Sequence, residues 1–288
     1  MDIAVLSDIH GNYEALEKCI NYALLRNIRT FIFLGDYVGE LAYPEKTMQI
    51  IYELSEKFAC YFIKGNKEDY WIDYENSGFG WQENNSTTGS LLYTYNNLTR
   101  EDIDFFKGLP ISQNIVIENM PQITICHGSP YKVNQKLLPN NDKTFEIMES
   151  VDSSIILCGH THIQNKIEYK GKMILNAGAV GVPLHSNGKS QFMILHEIDN
   201  IWKEEFISLE YDVEKVIEDI YTSGLEKFAP YWCIVTENLL RNGNISHGTV
   251  LAKAMTLCKD ENGNCIWPNV PEKYWKRAVT EILINTRN

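Results

Sequence analysis

The stretch DIAVLSDIHGN, residues 2–12, is an apolar run that ends in two potential metal ligands, Asp8 and His10. The same arrangement recurs along the chain. Asp36 follows FIFLG, Asn66 follows CYFIKG, His127 follows ITIC, and His160 and His162 follow SIILC. Only seven histidines occur, and four of them lie in these clusters. Alternate residues of an extended segment point the same way, so Asp8 with His10, and His160 with His162, are expected as same-facing pairs. Strands of open α/β sheets deliver their loops to one edge, so ligands at five strand ends predict one site. A set of Asp, Asn and His without a thiolate suits Mn, Fe or Zn. Seven side chains are too many for one tetrahedral ion. They are enough for two ions sharing a bridging carboxylate.

Working outward, residues 2–7 predict a buried strand, and Asn12 a cap for the helix that follows. Tyr13, Leu16, Ile20, Ala23 and Leu24 supply the apolar stripe of that helix. Residues 30–34 and 59–63 predict strands, with a helix at 43–57 between them. This β-α-β-α-β opening predicts an α/β fold with parallel strands and right-handed crossovers. An irregular, aromatic-rich segment is expected from residue 69 to about 86. Residues 87–97 and 100–107 predict helices, stopped at Gly108-Leu109-Pro110. Strands are expected at 111–117, 121–126, 154–157, 163–168, 172–175, 191–197 and 201–207, with hairpin turns at 118–121 and 171–172. From Asp212 the texture becomes helical, with Val213, Val216, Ile217 and Ile220 at i, i+3, i+4 and i+7. The organisation expected is therefore a main domain at 1–211 and a helical extension at 212–288 packed on it, some of it reaching the site rim.

Composition narrows the function. Thirty-eight acids against 26 bases give a net charge of -12, which argues against a nonspecific nucleic-acid or anionic-membrane surface. A bound cation could still attract a phosphate locally. Seven cysteines, several inside apolar runs and none in a C-x-x-C, fit a reduced cytoplasmic protein. The N-terminal residues show neither a basic leader nor a long apolar stretch, so no signal peptide or membrane span is expected.

The ordered series D-x-H, G-D, G-N-x-E, H-G and G-H-T-H, from residue 2 to about residue 210, resembles the calcineurin-like metallophosphoesterase family. NAGAVGVP, with Asn176, Gly178, Gly181 and Pro183, resembles the N-x-G-x-x-G-x-P turn of its small bacterial phosphodiesterase branch. The resemblance implies a four-layer αββα sandwich of two mixed β-sheets flanked by helices. It implies one metal held by Asp8, His10, Asp36 and His162, and a second held by Asp36, Asn66, His127 and His160. Asp36 bridges the two, and Mn is the favoured ion. The implied activity is phosphodiester hydrolysis by a metal-bridging hydroxide on a small phosphoester, nucleotides included. Phosphomonoester hydrolysis, protein phosphatases included, ranks second. A non-catalytic metal-binding scaffold, such as the small retromer subunit, ranks third.

Some positions carry two readings. Where several branches of the family place a histidine after G-N, this chain has Lys67. It is expected to contact a substrate oxygen, or an acid such as Glu68, as a cation rather than as a general acid. Asn12 matches a phosphate-contacting or ligand-supporting position in relatives and can also cap its helix. The aromatics of 69–95 either pack a loop or stack a base. SNGKS at 186–190 lacks the first P-loop glycine, since Pro183 stands there, and is read as a hairpin turn. His185 is expected in an exposed loop, and His196 and His247 in structural roles.

Overall fold

Both faces of β1 (Asp2–Leu6) are buried, and this sets the layering. Ala4 and Leu6 pack against α1 (Tyr13–Leu25) and α2 (Pro44–Lys57), while Ile3 and Val5 face a second sheet. A strand buried on both sides reads as a continuous apolar run, as this one does. The computed structural model describes residues 1–284. In the first sheet β1 pairs in parallel with β2 (Thr30–Phe33), which pairs in parallel with β3 (Ala59–Phe62). On its other edge β1 pairs antiparallel with β9 (Ser190–Ile198), which pairs antiparallel with β10 (Ile201–Leu209). The second sheet is also five-stranded and mixed. Its order is β4 (Ser112–Ile115), β5 (Ile123–Cys126), β6 (Ile155–Cys158), β8 (Lys172–Ala177) and β7 (Gln164–Tyr169).

Ile32, Leu34, Ile125, Leu157 and Met193 fill the space between the sheets. On the far side of the second sheet, Ile147 and Met148 of α6 (Asp142–Ser150) cover Cys126, Ile156 and Cys158. The order helix, sheet, sheet, helix is the four-layer sandwich expected.

Two local expectations are corrected, and one helix is added. The segment after Glu68 is not irregular throughout: residues Asn66–Ser77 form α3, which buries Trp71 and ends at Gly78 with φ 65°. Two acids in its first turn, Glu68 and Asp69, complement the helix dipole, and the left-handed glycine is a common helix stop. Its neighbours explain the aromatic density, since Tyr74 stacks on Trp81 at 4.0 Å. α6 carries little sequence signal, because only Phe145, Ile147 and Met148 break a polar run. SNGKS is not a hairpin: the strands it separates, β8 and β9, belong to different sheets.

After α4 (Gly89–Asn96) and α5 (Arg100–Gly108), the remaining helices lie beyond residue 212. They are α7 (Val213–Thr222), α8 (Leu225–Phe228), α9 (Pro230–Asn242), α10 (His247–Asn262) and α11 (Glu272–Val279). Asp212 caps α7 by accepting from the Lys215 amide. Leu41, Tyr93 and Val182 pack with Val216, Ile220 and Leu239, anchoring these helices to the sandwich. A separate cluster around Trp232, Tyr274 and Trp275 holds them to each other. Polar ties join α11 to the segment before α4: the Trp275 indole donates to Thr87 Oγ1 at 2.8 Å, and Ser86 Oγ donates to Glu272 at 3.0 Å. Among the described residues no helix is long and apolar enough to cross a membrane.

Trp275 is fully buried and hydrogen-bonded, so Trp275→Ala should cost about 3–5 kcal/mol. Urea unfolding followed by circular dichroism checks this. A loss below about 1 kcal/mol would mean that the helices hold without this anchor.

Candidate metal centre

The candidate ligands sit on backbone that few residues tolerate. Asp8, His10, Asp36, His160 and His162 all have positive φ, between 53° and 64°. The expectation that Asp8 with His10, and His160 with His162, pair on extended backbone is therefore corrected. They converge because each turns through a left-handed conformation, costly for a non-glycine residue and concentrated at functional sites. Inter-loop hydrogen bonds hold the turns. Asp8 N donates to Gly35 O at 3.1 Å, His10 N to Asp36 O at 3.0 Å, and Gly159 N to His127 O at 2.9 Å. Val180 N and Gly181 N donate to the carbonyls of Ser7 and Asp8. Two glycines permit this closeness: a Cβ would lie 1.8 Å from Ser7 Oγ at Gly159 and 1.8 Å from Ile9 O at Gly181.

Each aspartate is held by one oxygen and presents the other. Asp8 Oδ2 accepts from Ser7 Oγ and from the His160 amide, while Oδ1 is buried without a hydrogen-bond partner. Asp36 Oδ1 accepts from the Lys67 amide at 2.8 Å. Its Oδ2 stands 3.6 Å from His10 Nε2 and 3.5 Å from His127 Nε2. Asp8 Oδ1 lies 3.1 Å from His162 Nε2 and 3.7 Å from His10 Nε2. Asn66 Oδ1 lies 3.2 Å from His127 Nε2, and the His127 and His160 rings are 5.1 Å apart. All seven candidate donors thus meet, with His162 on the side of Asp8 and His10 and His160 on the side of His127. The two tightest groups, Asp8 with His10 and His162, and Asp8 with Asp36 and His127, share Asp8.

Hydrogen bonds on the far side of two rings fix their tautomers, and an ion pair orients a third. His127 Nδ1 contacts Leu34 O at 2.7 Å and His162 Nδ1 contacts Val182 O at 3.0 Å. A carbonyl only accepts, so both Nδ1 atoms carry the proton. His10 Nδ1 meets the Glu40 carboxylate in the same sense. The Nε2 atoms of all three rings therefore face inward, and those of His10 and His162 are 3.2 Å apart. Two ring nitrogens at that distance need a proton or a metal cation between them. The unpartnered Asp8 oxygen beside them, and the carboxylate, amide and imidazole donor types, fit a divalent transition metal.

Charge in the site is strongly coupled. Burial opposes ionisation of Asp8, but His162 and then His127 hold its carboxyl well below the usual range. Burial also opposes charge on His10, yet Glu40 and Asp8 outweigh it and raise the imidazole to about 10. Burial and neighbouring His127 push His160 down to about 4.

Glu68 does not pair with Lys67. Burial, with Asp36 next, raises it to about 7, and its carboxylate accepts from the amides of Asp36, Tyr37 and Gly65. Lys67 Nζ instead bonds Glu40 at 2.5 Å. Glu40 links Lys67 to His10, a role no sequence motif announced. Its one signal was an acid four residues after Asp36 inside an apolar stretch. Asn12 accepts from the Ala15 amide and donates to Gly181 O and Tyr211 Oη, so it caps α1 and is not among the cavity-lining residues.

Above the donors opens a cavity of about 280 Å³. His10, Asp36, Asn66, Lys67, His160 and His162 line its floor, and Tyr70, Trp232, His247, Leu251 and Trp267 its wall. His247 is thus both structural and cavity-lining. Thr236 Oγ1 donates to Trp232 O, so His247 Nε2 donates to Thr236 Oγ1 at 2.7 Å, and the ring lies 4.1 Å from Trp232. His185 is exposed, and His196 bridges Asp2 and Glu205 on the first sheet.

Residues 1–200 match the calcineurin-like phosphoesterase superfamily domain, and the chain belongs to that superfamily. An uncharacterised protein of Methanocaldococcus jannaschii is 29% identical over 255 residues, 80% of this chain and 94% of that protein. A hypothetical protein of Pyrococcus horikoshii OT3 has the same fold with a TM-score of 0.71 at 20% identity, covering 85% of this chain and 99% of that one. A metallophosphoesterase from Sphaerobacter thermophilus has a TM-score of 0.66 at 22% identity, covering 84% and 99%.

Burial, with Lys67 against and Glu40 for the charged ring, lowers His247 from 6.5 to about 3. The unfolded chain therefore binds the extra proton first, and stability is complete above about pH 6.5 and falls toward pH 3. The slope from this group is at most about 1.4 kcal/mol per pH unit. His247→Gln keeps a donor for Thr236 and should flatten urea stability between pH 4 and 6.5. An unchanged slope would remove His247 from the acid response.

Proposed function

We propose that this chain is a two-metal phosphoesterase that hydrolyses phosphodiester bonds. The observation that carries the reading is the pair of inward Nε2 atoms of His10 and His162, 3.2 Å apart beside an Asp8 oxygen that accepts no hydrogen bond. Asp8, His10, Asp36 and His162 would hold one divalent ion. Asp36, Asn66, His127 and His160 would hold the other, with Asp36 between them and Mn the favoured metal. Such ions supply Lewis acidity toward phosphoryl oxygens and a water activated for in-line attack.

The chain's own groups do the positioning. Glu40, Leu34 O and Val182 O orient the imidazoles of His10, His127 and His162. Lys67, charged and held by Glu40, presents a cation to a phosphoryl oxygen at the cavity floor. Among the described lining residues Lys67 is the sole Lys or Arg, and Glu40 already offsets part of its charge. The choice of diester over monoester rests on the NAGAVGVP turn, which resembles that of the phosphodiesterase branch. Residues 1–211 form the donor-bearing domain in this reading, and 212–284 a helical extension that closes the cavity; the last four residues of the expected 212–288 extension lie outside the described residues. All seven cysteines are free, which supports a cytoplasmic setting.

The test uses Asp36→Asn, which removes one negative charge between the two metal positions. Elemental analysis should find two ions per wild-type chain and one or fewer in the variant. With Mn added, hydrolysis of bis(p-nitrophenyl) phosphate should fall on the order of a hundredfold or more. Chelation should abolish wild-type turnover. Two ions and near-wild-type turnover in Asp36→Asn would overturn the assignment. A preference for p-nitrophenyl phosphate would point to a monoesterase. Bound metal without turnover of either ester would point to a scaffold.

A further inference from the structure

We infer that the part of the cavity above the donors selects an uncharged, apolar group, so that the substrate is a phosphoester of an apolar alcohol; this rests on the phosphoesterase reading above. The charged residues of the cavity all lie at its floor. Asp36 and Glu40 are the acids among the described lining residues, and Lys67 the Lys or Arg. The wall comes mainly from α3, α9, α10 and the segment between α10 and α11, and it carries none of these types. His247 is the histidine of the wall, and burial keeps its ring neutral at neutral pH, with a pKa of about 3.

Apolar side chains supply surface that a ligand can cover. Tyr70 and Trp267 stack at 5.9 Å with an interplanar angle of 27°, and Leu251 of α10 stands half-buried in the same wall. Trp267 is 39% exposed and its neighbour Ile266 63%, so apolar surface continues from the wall to the mouth. Single exposed apolar residues are ordinary, whereas these two adjoin an apolar cavity wall. Three polar side chains of the wall are engaged within the protein. Thr87 Oγ1 accepts from the Trp275 indole at 2.8 Å, Ser246 Oγ accepts from the Thr249 amide at 3.1 Å, and His247 Nε2 bonds Thr236 Oγ1 at 2.7 Å.

The energetics follow from this lining. A second charge on the ligand would leave water and meet no counter-charge on the wall, and a buried charge is costly unless paired. Each methylene that leaves water instead gains about fourfold in affinity. A volume of about 280 Å³ sits at the low end of ligand pockets, about 300–1,000 Å³, which suits a phosphoryl group with a short chain or a single ring. The first turn of α10 also reaches the cavity, through Ser246 and Gly248, and is the part of the wall that would suit an anion. A second anionic group is therefore the competing ligand that the test must reject.

The test measures binding as well as turnover. Ethylphosphonate, butylphosphonate, 3-aminopropylphosphonate and 3-phosphonopropionate are titrated calorimetrically into the full chain with Mn present. Their C–P bond is not an ester, so they bind without being hydrolysed, and the last three differ chiefly in ending on a methyl, an ammonium or a carboxylate. Butylphosphonate should bind wild type about tenfold tighter than ethylphosphonate, and at least about tenfold tighter than either charged analogue. The variants are Trp267→Ala and Leu251→Lys, with folding verified by circular dichroism. Trp267→Ala should weaken butylphosphonate at least about threefold and leave ethylphosphonate within about twofold. Leu251→Lys should weaken butylphosphonate and strengthen 3-phosphonopropionate. Equal binding of butylphosphonate and its charged analogues to wild type overturns the inference. Tighter binding of 3-phosphonopropionate overturns it in favour of a second anionic group at α10. A ligand order that neither variant changes removes the selectivity from this wall. Hydrolysis of bis(p-nitrophenyl) phosphate by the Mn-loaded wild type is scored apart. Turnover without the butyl preference leaves the phosphoesterase reading standing alone, and the preference without turnover supports the apolar subsite while overturning that reading.

Discussion

The structure depends on backbone strain concentrated at the strand ends. Five of the seven candidate donors occupy left-handed conformations that cost a non-glycine residue of order 1–3 kcal/mol each. Nothing local favours them. They persist because neighbouring loops tie their amides and carbonyls together across β1, β2, β5 and β6. Glu68 is the tightest of these ties, with three backbone amides from two loops converging on one buried carboxylate. The sandwich supplies the rigidity: sheets packed face to face on isoleucine and leucine hold the strand ends in register. Close packing at Gly159 and Gly181 leaves no space through which the strain could relax.

That rigidity makes the side-chain chemistry directional. Each aspartate spends one oxygen on the scaffold and keeps one for the centre, and three imidazoles spend Nδ1 outward and keep Nε2 inward. The consequence is a patch of converging lone pairs that is unstable by itself. Protonation of His10 offsets it in part, since its neighbours hold that ring charged. A cation entering the site must displace this proton, so metal uptake and proton release are one event.

Legibility in the sequence followed the physics of each feature. Strand positions showed because the layers bury both faces of β1, β5 and β6, leaving runs such as IAVL, ITIC and IILC. Donor positions showed because His and Asp are scarce inside apolar surroundings. The backbone conformation of those donors did not show: strict alternation predicts facing pairs on extended backbone, and tertiary hydrogen bonds overrode it at Asp8, His10, His160 and His162. α3 was hidden because its aromatic residues serve two surfaces, Trp71 in the core and Tyr70 in the cavity, which blurs any single stripe. Glu40, Trp232, His247 and Trp267 come from distant parts of the chain and meet only through folding. No local pattern marks such a convergence.

The region after residue 212 shows how a shared centre acquires individuality. The floor of the cavity is built from residues 8–162, the part that matches the superfamily, while much of its wall comes from α9, α10 and the loop after α10. Lys67 joins the two. It follows Asn66 in sequence, pairs with Glu40 beneath the wall, and lies near two aromatic rings above the floor. Burial disfavours its charge, yet Glu40 and Asp36 together raise its pKa, so it acts as a fixed positive charge. A lysine so held cannot readily give up a proton to a leaving group, whereas it can orient one. If the chain cleaves phosphoesters as proposed, selectivity would reside in the wall and bond cleavage in the floor, with the Lys67–Glu40 pair as the contact between them.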